Sequence, residues 1–94
     1  MEKKFKFNFR LITSDTTISD QNVTSFKFIN LGEQNVLINN QLFLQGIQVG
    51  VSPQFFDEGF NTGEKTAQQY KIVFAKELFK TNLVQLIEKI EVRD

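Results

Sequence analysis

The segment Lys4-Phe5-Lys6-Phe7-Asn8-Phe9-Arg10-Leu11-Ile12 alternates apolar and polar side chains almost without fault. A β-strand turns successive side chains to opposite faces, so Phe5, Phe7, Phe9 and Leu11 share one face and Lys4, Lys6, Asn8 and Arg10 the other. A helix with this sequence would scatter the same four apolar residues around its circumference. Residues 4–12 therefore read as a half-buried antiparallel strand, with the Phe face expected on the core and the Lys face in water. Lys interleaved with Phe can also serve as a stacking platform for nucleic acid. Core packing is the simpler reading, because phosphate binding usually leaves a basic surplus and this chain balances 11 basic against 11 acidic residues.

The rest of the chain extends the β pattern. Residues 13–21 read as a polar loop rich in turn formers. A second strand fits 22–30, with Phe26 and Phe28 on one face and Lys27 on the other, and residues 31–35 read as a turn around Gly32. Val36-Leu37-Ile38 and Leu42-Phe43-Leu44 flank Asn39-Asn40, and Asn tolerates the positive φ that a tight hairpin needs. Ile47, Val49 and Val51 alternate with Gln48 and Gly50 as a short strand ending at Pro53. Residues 52–67 read as the longest irregular stretch. From Gln68 to Ala75 the alternation resumes, with Tyr70, Ile72 and Phe74 on one face. Ala75–Lys80 favours helix by propensity but is too short to be stable alone. Residues 83–92 fit either a helix or a strand, and the strand is preferred. About seven strands at roughly ten-residue spacing predict an all-β fold, a small antiparallel β-sandwich of jelly-roll or Ig-like type, in one domain of 94 residues.

The residue inventory narrows the chemistry. With no His and no Cys, Ser-His and Cys-His nucleophiles, thiolate or imidazole zinc sites and disulfides are all excluded. Asp57 and Glu58, with Glu64 nearby, are the carboxylates that could be posed as a glycosidase pair. The same loop carries oxygen atoms suited to calcium, but Gly59 and Asn61 break the EF-hand spacing. A solvated turn explains these residues more simply, so no catalytic residue, metal or cofactor is expected. No stretch approaches the ~18 apolar residues of a membrane span. The charged N-terminus is followed by no continuous apolar run, so neither a membrane partner nor a signal peptide is expected.

One feature stands out from this quiet inventory. Phe55, Phe56 and Phe60 fall in the irregular stretch, among Pro, Gly and acids where nothing obliges Phe. Such side chains either plug one end of the domain or present apolar surface to another subunit, which makes these three the interface candidates. Near-zero net charge gives little colloidal repulsion, as suits a subunit that works assembled.

The run from Phe26 to Phe74 resembles short β-sandwich proteins encoded among the virion genes of bacteriophages and prophages. The resemblance rests on Phe28-Ile29-Asn30-Leu31-Gly32, on Val36-Leu37-Ile38-Asn39-Asn40 with Leu42 and Leu44 before Gly46, on Gly63-Glu64, and on Tyr70-Lys71-Ile72-Val73-Phe74. It departs at the turns, which here are Asn39-Asn40 and Gln45-Gly46 where such proteins often carry Asn-Gly or Pro-Gly. The resemblance implies a non-enzymatic capsid, collar or tail accessory subunit located in the virion. Its partners would be other copies of itself, as a homo-oligomer, or phage capsid or tail proteins. The alternative is an Ig-like or carbohydrate-binding recognition module.

Overall fold

The computed structural model describes residues 4–59 and 66–92. Seven strands run in chain order: β1 (Lys4–Ile12), β2 (Thr16–Asn30), β3 (Val36–Ile38), β4 (Leu42–Leu44), β5 (Phe55–Gly59), β6 (Thr66–Phe74) and β7 (Val84–Val92). Every pairing is antiparallel, the sheet order is β1-β7-β2-β6-β3-β4, and β5 pairs with β2. The all-β architecture read from the sequence is what the chain adopts, and the ambiguous segment near the C-terminus is strand β7.

The 15-residue strand β2 organises the sheet. Its first half pairs with β6, from Thr16 opposite Ile72 to Asp20 opposite Gln68. Its second half lies between β7 and β5, with Phe28 opposite Leu86 on one side and Phe56 on the other. Between the halves the register shifts on both edges, and Asn22 takes a φ of 61°, which short polar side chains tolerate. The strand bends there. Tyr70 lies opposite Ile18 in the first half, yet its ring packs on Phe26 and Phe28 of the second, at centroid distances of 5.2 and 5.1 Å. The sheet thus curls over itself, one leaf made of β1, β7, the end of β2 and β5, the other of the start of β2, β6, β3 and β4.

The core fills the space between the leaves. Phe26, Phe28, Tyr70, Ile72, Phe74, Val84 and Leu86 are buried there with Ile12, Val23, Val36, Ile38 and Leu44. Edge-to-face contacts among Phe26, Phe28 and Tyr70 suit the quadrupoles of the rings.

Three segments differ from the sequence reading. Residues 16–21, expected as loop, begin β2, because the open edge of β6 supplies their ladder and Thr and Ile suit a pleated surface. Phe55–Gly59, expected as irregular, pairs with Ser25–Ile29 as β5. Residues 47–51, expected as a strand, form none, since the chain is there crossing from β4 to β5 with no sheet edge alongside. Instead Ile47 N–H donates to the Gly32 carbonyl, and a turn closes from Val51 N–H to the Gln48 carbonyl with Gly50 at a φ of 80°. The Asn39-Asn40 hairpin is as expected, both residues at positive φ.

The loops at one end pack closely. A Cβ added at Gly46 would overlap the Glu33 carbonyl, a backbone group that cannot swing aside. Gly46→Ala is expected to cost about 1–3 kcal/mol, the usual range for overpacking. Chemical denaturation of the two chains checks this; an unchanged midpoint would show that the 31–35 loop yields freely.

Candidate functional site

The orientation of β1 is the reverse of the sequence expectation. Phe5, Phe7, Phe9 and Leu11 point away from the core and are 44, 61, 62 and 66% exposed. On the opposite face Asn8 and Arg10 turn toward the other leaf, while Lys4 and Lys6 remain exposed. Asn8 lies opposite Glu88, and its Nδ2 donates to Glu88 Oε1 at 3.4 Å. Arg10 reaches across to the other leaf and pairs with Asp20, Nη2 to Oδ1 at 2.8 Å. The physical reason lies in β7 and β2, whose inward residues Glu88 and Asp20 require polar company that a Phe row could not provide.

Glu88 is the centre of this inner cluster. It is fully buried at 0% exposure, between Asn8 of β1 and Phe26 of β2 in register. The Tyr70 hydroxyl donates to its Oε2 at 3.1 Å. Burial above all, with Asp20 as a hydrogen-bond partner and a like charge, pushes the Glu88 carboxyl up to about 7. Burial, with the Glu88 carboxylate beside it, likewise pushes the Tyr70 hydroxyl well above its ordinary value. Oδ2 of Asp20 is buried without a hydrogen-bond partner of ordinary geometry, which leaves it open to a proton held on Glu88. The cluster joins β1, β2, β6 and β7 through ionisable groups, and Glu88 has no opening to solvent through which a substrate could reach it.

On the outer face the register sets apolar residues among polar ones across the strands. Leu11 is followed by Gln85, Ile29 and Phe55, and Phe9 by Ile87, Lys27 and Asp57. Phe55 is 60% exposed, with the Lys27 ammonium 4.6 Å from its ring centroid, and the Lys89 ammonium lies 4.4 Å from that of Phe5. The Phe7 and Phe9 rings are neighbours at 6.3 Å. Phe5, Phe7, Phe9, Leu11 and Phe55 thus border one outward face. Large apolar patches of this kind mark interaction sites more often than bare surface.

The interface candidates from the sequence divide. Phe55 lies on this outer face. Phe56 points the other way, partly buried against the core with its ring 6.2 Å from Phe26. Phe60 lies outside the described residues. The proposed carboxylate pair does not converge, because Asp57 and Glu58 are successive strand residues on opposite faces: Asp57 beside Lys27 outside, Glu58 at the mouth of a cleft inside. Glu64, and the rest of the candidate calcium loop after Gly59, lie outside the described residues. That cleft, lined by Phe26, Phe28, Phe56, Tyr70 and Leu42, has a volume of about 140 Å³, below the roughly 300–1,000 Å³ of ordinary ligand pockets. Among the described residues no cluster of three or more acidic groups could hold a metal, and no helix is long and apolar enough to cross a membrane.

The β1 face was missed because alternation reveals that two faces differ but not which one turns inward. The deciding signal was available only at a distance, in Asp20 and Glu88. No protein-family model, curated protein or solved structure matches this chain.

Proposed function

We propose that this chain is a non-enzymatic structural subunit that acts by protein–protein assembly, as a capsid, collar or tail accessory protein of a phage virion. The observation that carries the assembly reading is the outward row Phe5, Phe7, Phe9 and Leu11 on edge strand β1. Edge strands of solitary proteins are commonly blunted by charge or covered. On β1 Lys4, Lys6 and Arg10 are exposed on one face and the aromatic row faces solvent on the other, and an exposed aromatic row is unfavourable until a partner covers it. The absence of His and Cys from the sequence and the inaccessible Glu88 agree with a role that needs no catalysis. The assignment to a virion rests on the strand-and-turn resemblance.

The two halves have separate tests. Mass spectrometry of gradient-purified particles, from cells carrying the gene, is expected to find the chain in stoichiometric amounts; its absence from particles would remove the virion assignment. For the assembly half, a Phe7→Glu, Phe9→Thr chain is the probe. Phe7 lies opposite Lys89, so Glu there gains a cross-strand partner while making the face polar. This chain is expected to keep its melting temperature and to lose incorporation at least about tenfold, as truncated aromatic anchors do. Unchanged incorporation would sink the role of the β1 face.

A further inference from the structure

The outer face offers two ways to bind a second copy, by stacking face on face or by pairing β1 edges, and its chemistry separates them. Antiparallel self-pairing of β1 centred on Asn8 sets Lys6 opposite Arg10 of the copy, and centring on Phe7 sets Lys4 opposite Arg10. Like charges directly opposite are destabilising. Edge pairing would also lay the two Phe rows side by side on one face of a longer sheet, still in water. Face stacking buries them.

Area and charge both favour a second copy as the occupant. Phe5, Phe7, Phe9, Leu11 and Phe55 are 44, 61, 62, 66 and 60% exposed. At roughly 200 Å² for a large side chain they offer on the order of 600 Å² of apolar surface. That is at the upper limit for the surface of a monomer and approaches the ~800 Å² each partner contributes to a stable complex. The polar residues on the same face include Lys27 and Lys89 of one sign and Asp57 and Glu91 of the other, each on an outward register position. A membrane surface or nucleic acid would call for a basic excess. A balanced face is complementary to itself, as an isologous contact requires.

We propose that two copies of this chain stack their outer faces, β1, β7, the end of β2 and β5 of one against the same strands of the other, with the Phe rows buried between them. The inference rests on the assembly reading and names its partner. The stacked leaves lie about 10 Å apart, the spacing of packed sheets.

Sedimentation equilibrium from about 1 to about 200 μM tests it, since a dimer's population follows concentration. The native chain is expected to dimerise reversibly. Phe7→Glu, Phe9→Thr is expected to raise the dissociation constant at least about 100-fold, two central anchors each costing a tenfold step or more. Phe43→Glu, at an equally exposed Phe on β4, is expected to leave it unchanged, with circular dichroism confirming that every chain is folded. The proposal is overturned by a native chain monomeric throughout, by a dimer that Phe43→Glu weakens equally, or by one that survives the double substitution. The last would mean edge pairing, because the backbone of β1 is intact in that variant. Co-sedimentation with phosphatidylcholine vesicles in place of dimerisation would overturn it in favour of lipid. A monomer still found in particles would refute the stacked dimer and leave the assembly reading standing; a dimer absent from particles would do the reverse for the virion.

Discussion

Glu88→Gln is expected to be more stable than the native chain at pH 8 by about 3 kcal/mol, and nearly equal to it at pH 4. The Glu88 carboxyl stands near 7 in the folded chain and near its ordinary value of 4.5 when unfolded. Between those values the unfolded chain has released a proton that the folded chain still holds, so stability falls as pH rises. The contribution of the protonated acid is complete below about 4.5, declines through the window, and is gone once pH has passed about 7. A Gln side chain is neutral at every pH; its one oxygen can accept from Tyr70, and its amide nitrogen can donate toward Asp20 and to the Asn8 oxygen once that amide is turned over. Urea denaturation of both chains across this range reads the difference directly. A difference that does not change between pH 4 and pH 8 would mean that Glu88 titrates normally and that the inner cluster is solvated. The native chain should also loosen above neutrality first where β1 and β7 meet the other leaf, since Asn8, Arg10, Asp20 and Tyr70 all converge there.

Asn30→Ala is expected to cost about 3–5 kcal/mol, through buried groups left unsatisfied. Asn30 is fully buried at the end of β2. Its Nδ2 donates to the carbonyls of Gln34 and Leu44 at 2.9 and 3.1 Å, and its Oδ1 accepts the Gly32 N–H at 3.1 Å. One side chain thus ties the turn after β2 to the end of β4, joining the two leaves. Alanine removes all three bonds, to the carbonyls of Gln34 and Leu44 and from the Gly32 N–H, at a buried position. For a chain of this size the melting temperature should fall by about 15–30 °C. A fall of less than about 5 °C would show that water replaces the side chain and that the loops are held by other contacts.

Much of the strand pattern was legible because period-2 alternation survives wherever one face is dry. Tyr70, Ile72 and Phe74 were placed correctly on one face, and the Asn39-Asn40 turn followed from the tolerance of Asn for positive φ. The segments that were not legible share a cause. Thr16–Gln21 and Phe55–Gly59 are strands because β6 and β2 offer them an edge, and their own composition resembles loop. Ile47, Val49 and Val51 have the alternation but no edge to join. Hydrogen-bonded partnership is a property of the neighbour, and a local pattern cannot encode it.

The candidate site shows the same division more sharply. By itself the sequence determined that β1 has an aromatic face and a basic one, that no imidazole or thiol chemistry exists, and that Phe55, Phe56 and Phe60 stand where nothing local obliges Phe. Only the tertiary structure decided which face of β1 is inside. Two acidic residues distant in sequence, Asp20 and Glu88, meet between the leaves and require Arg10 and Asn8 beside them, which drives the Phe row outward. An uncompensated buried charge costs more than leaving a few aromatic rings in water, and the rings can recover part of that cost against a partner.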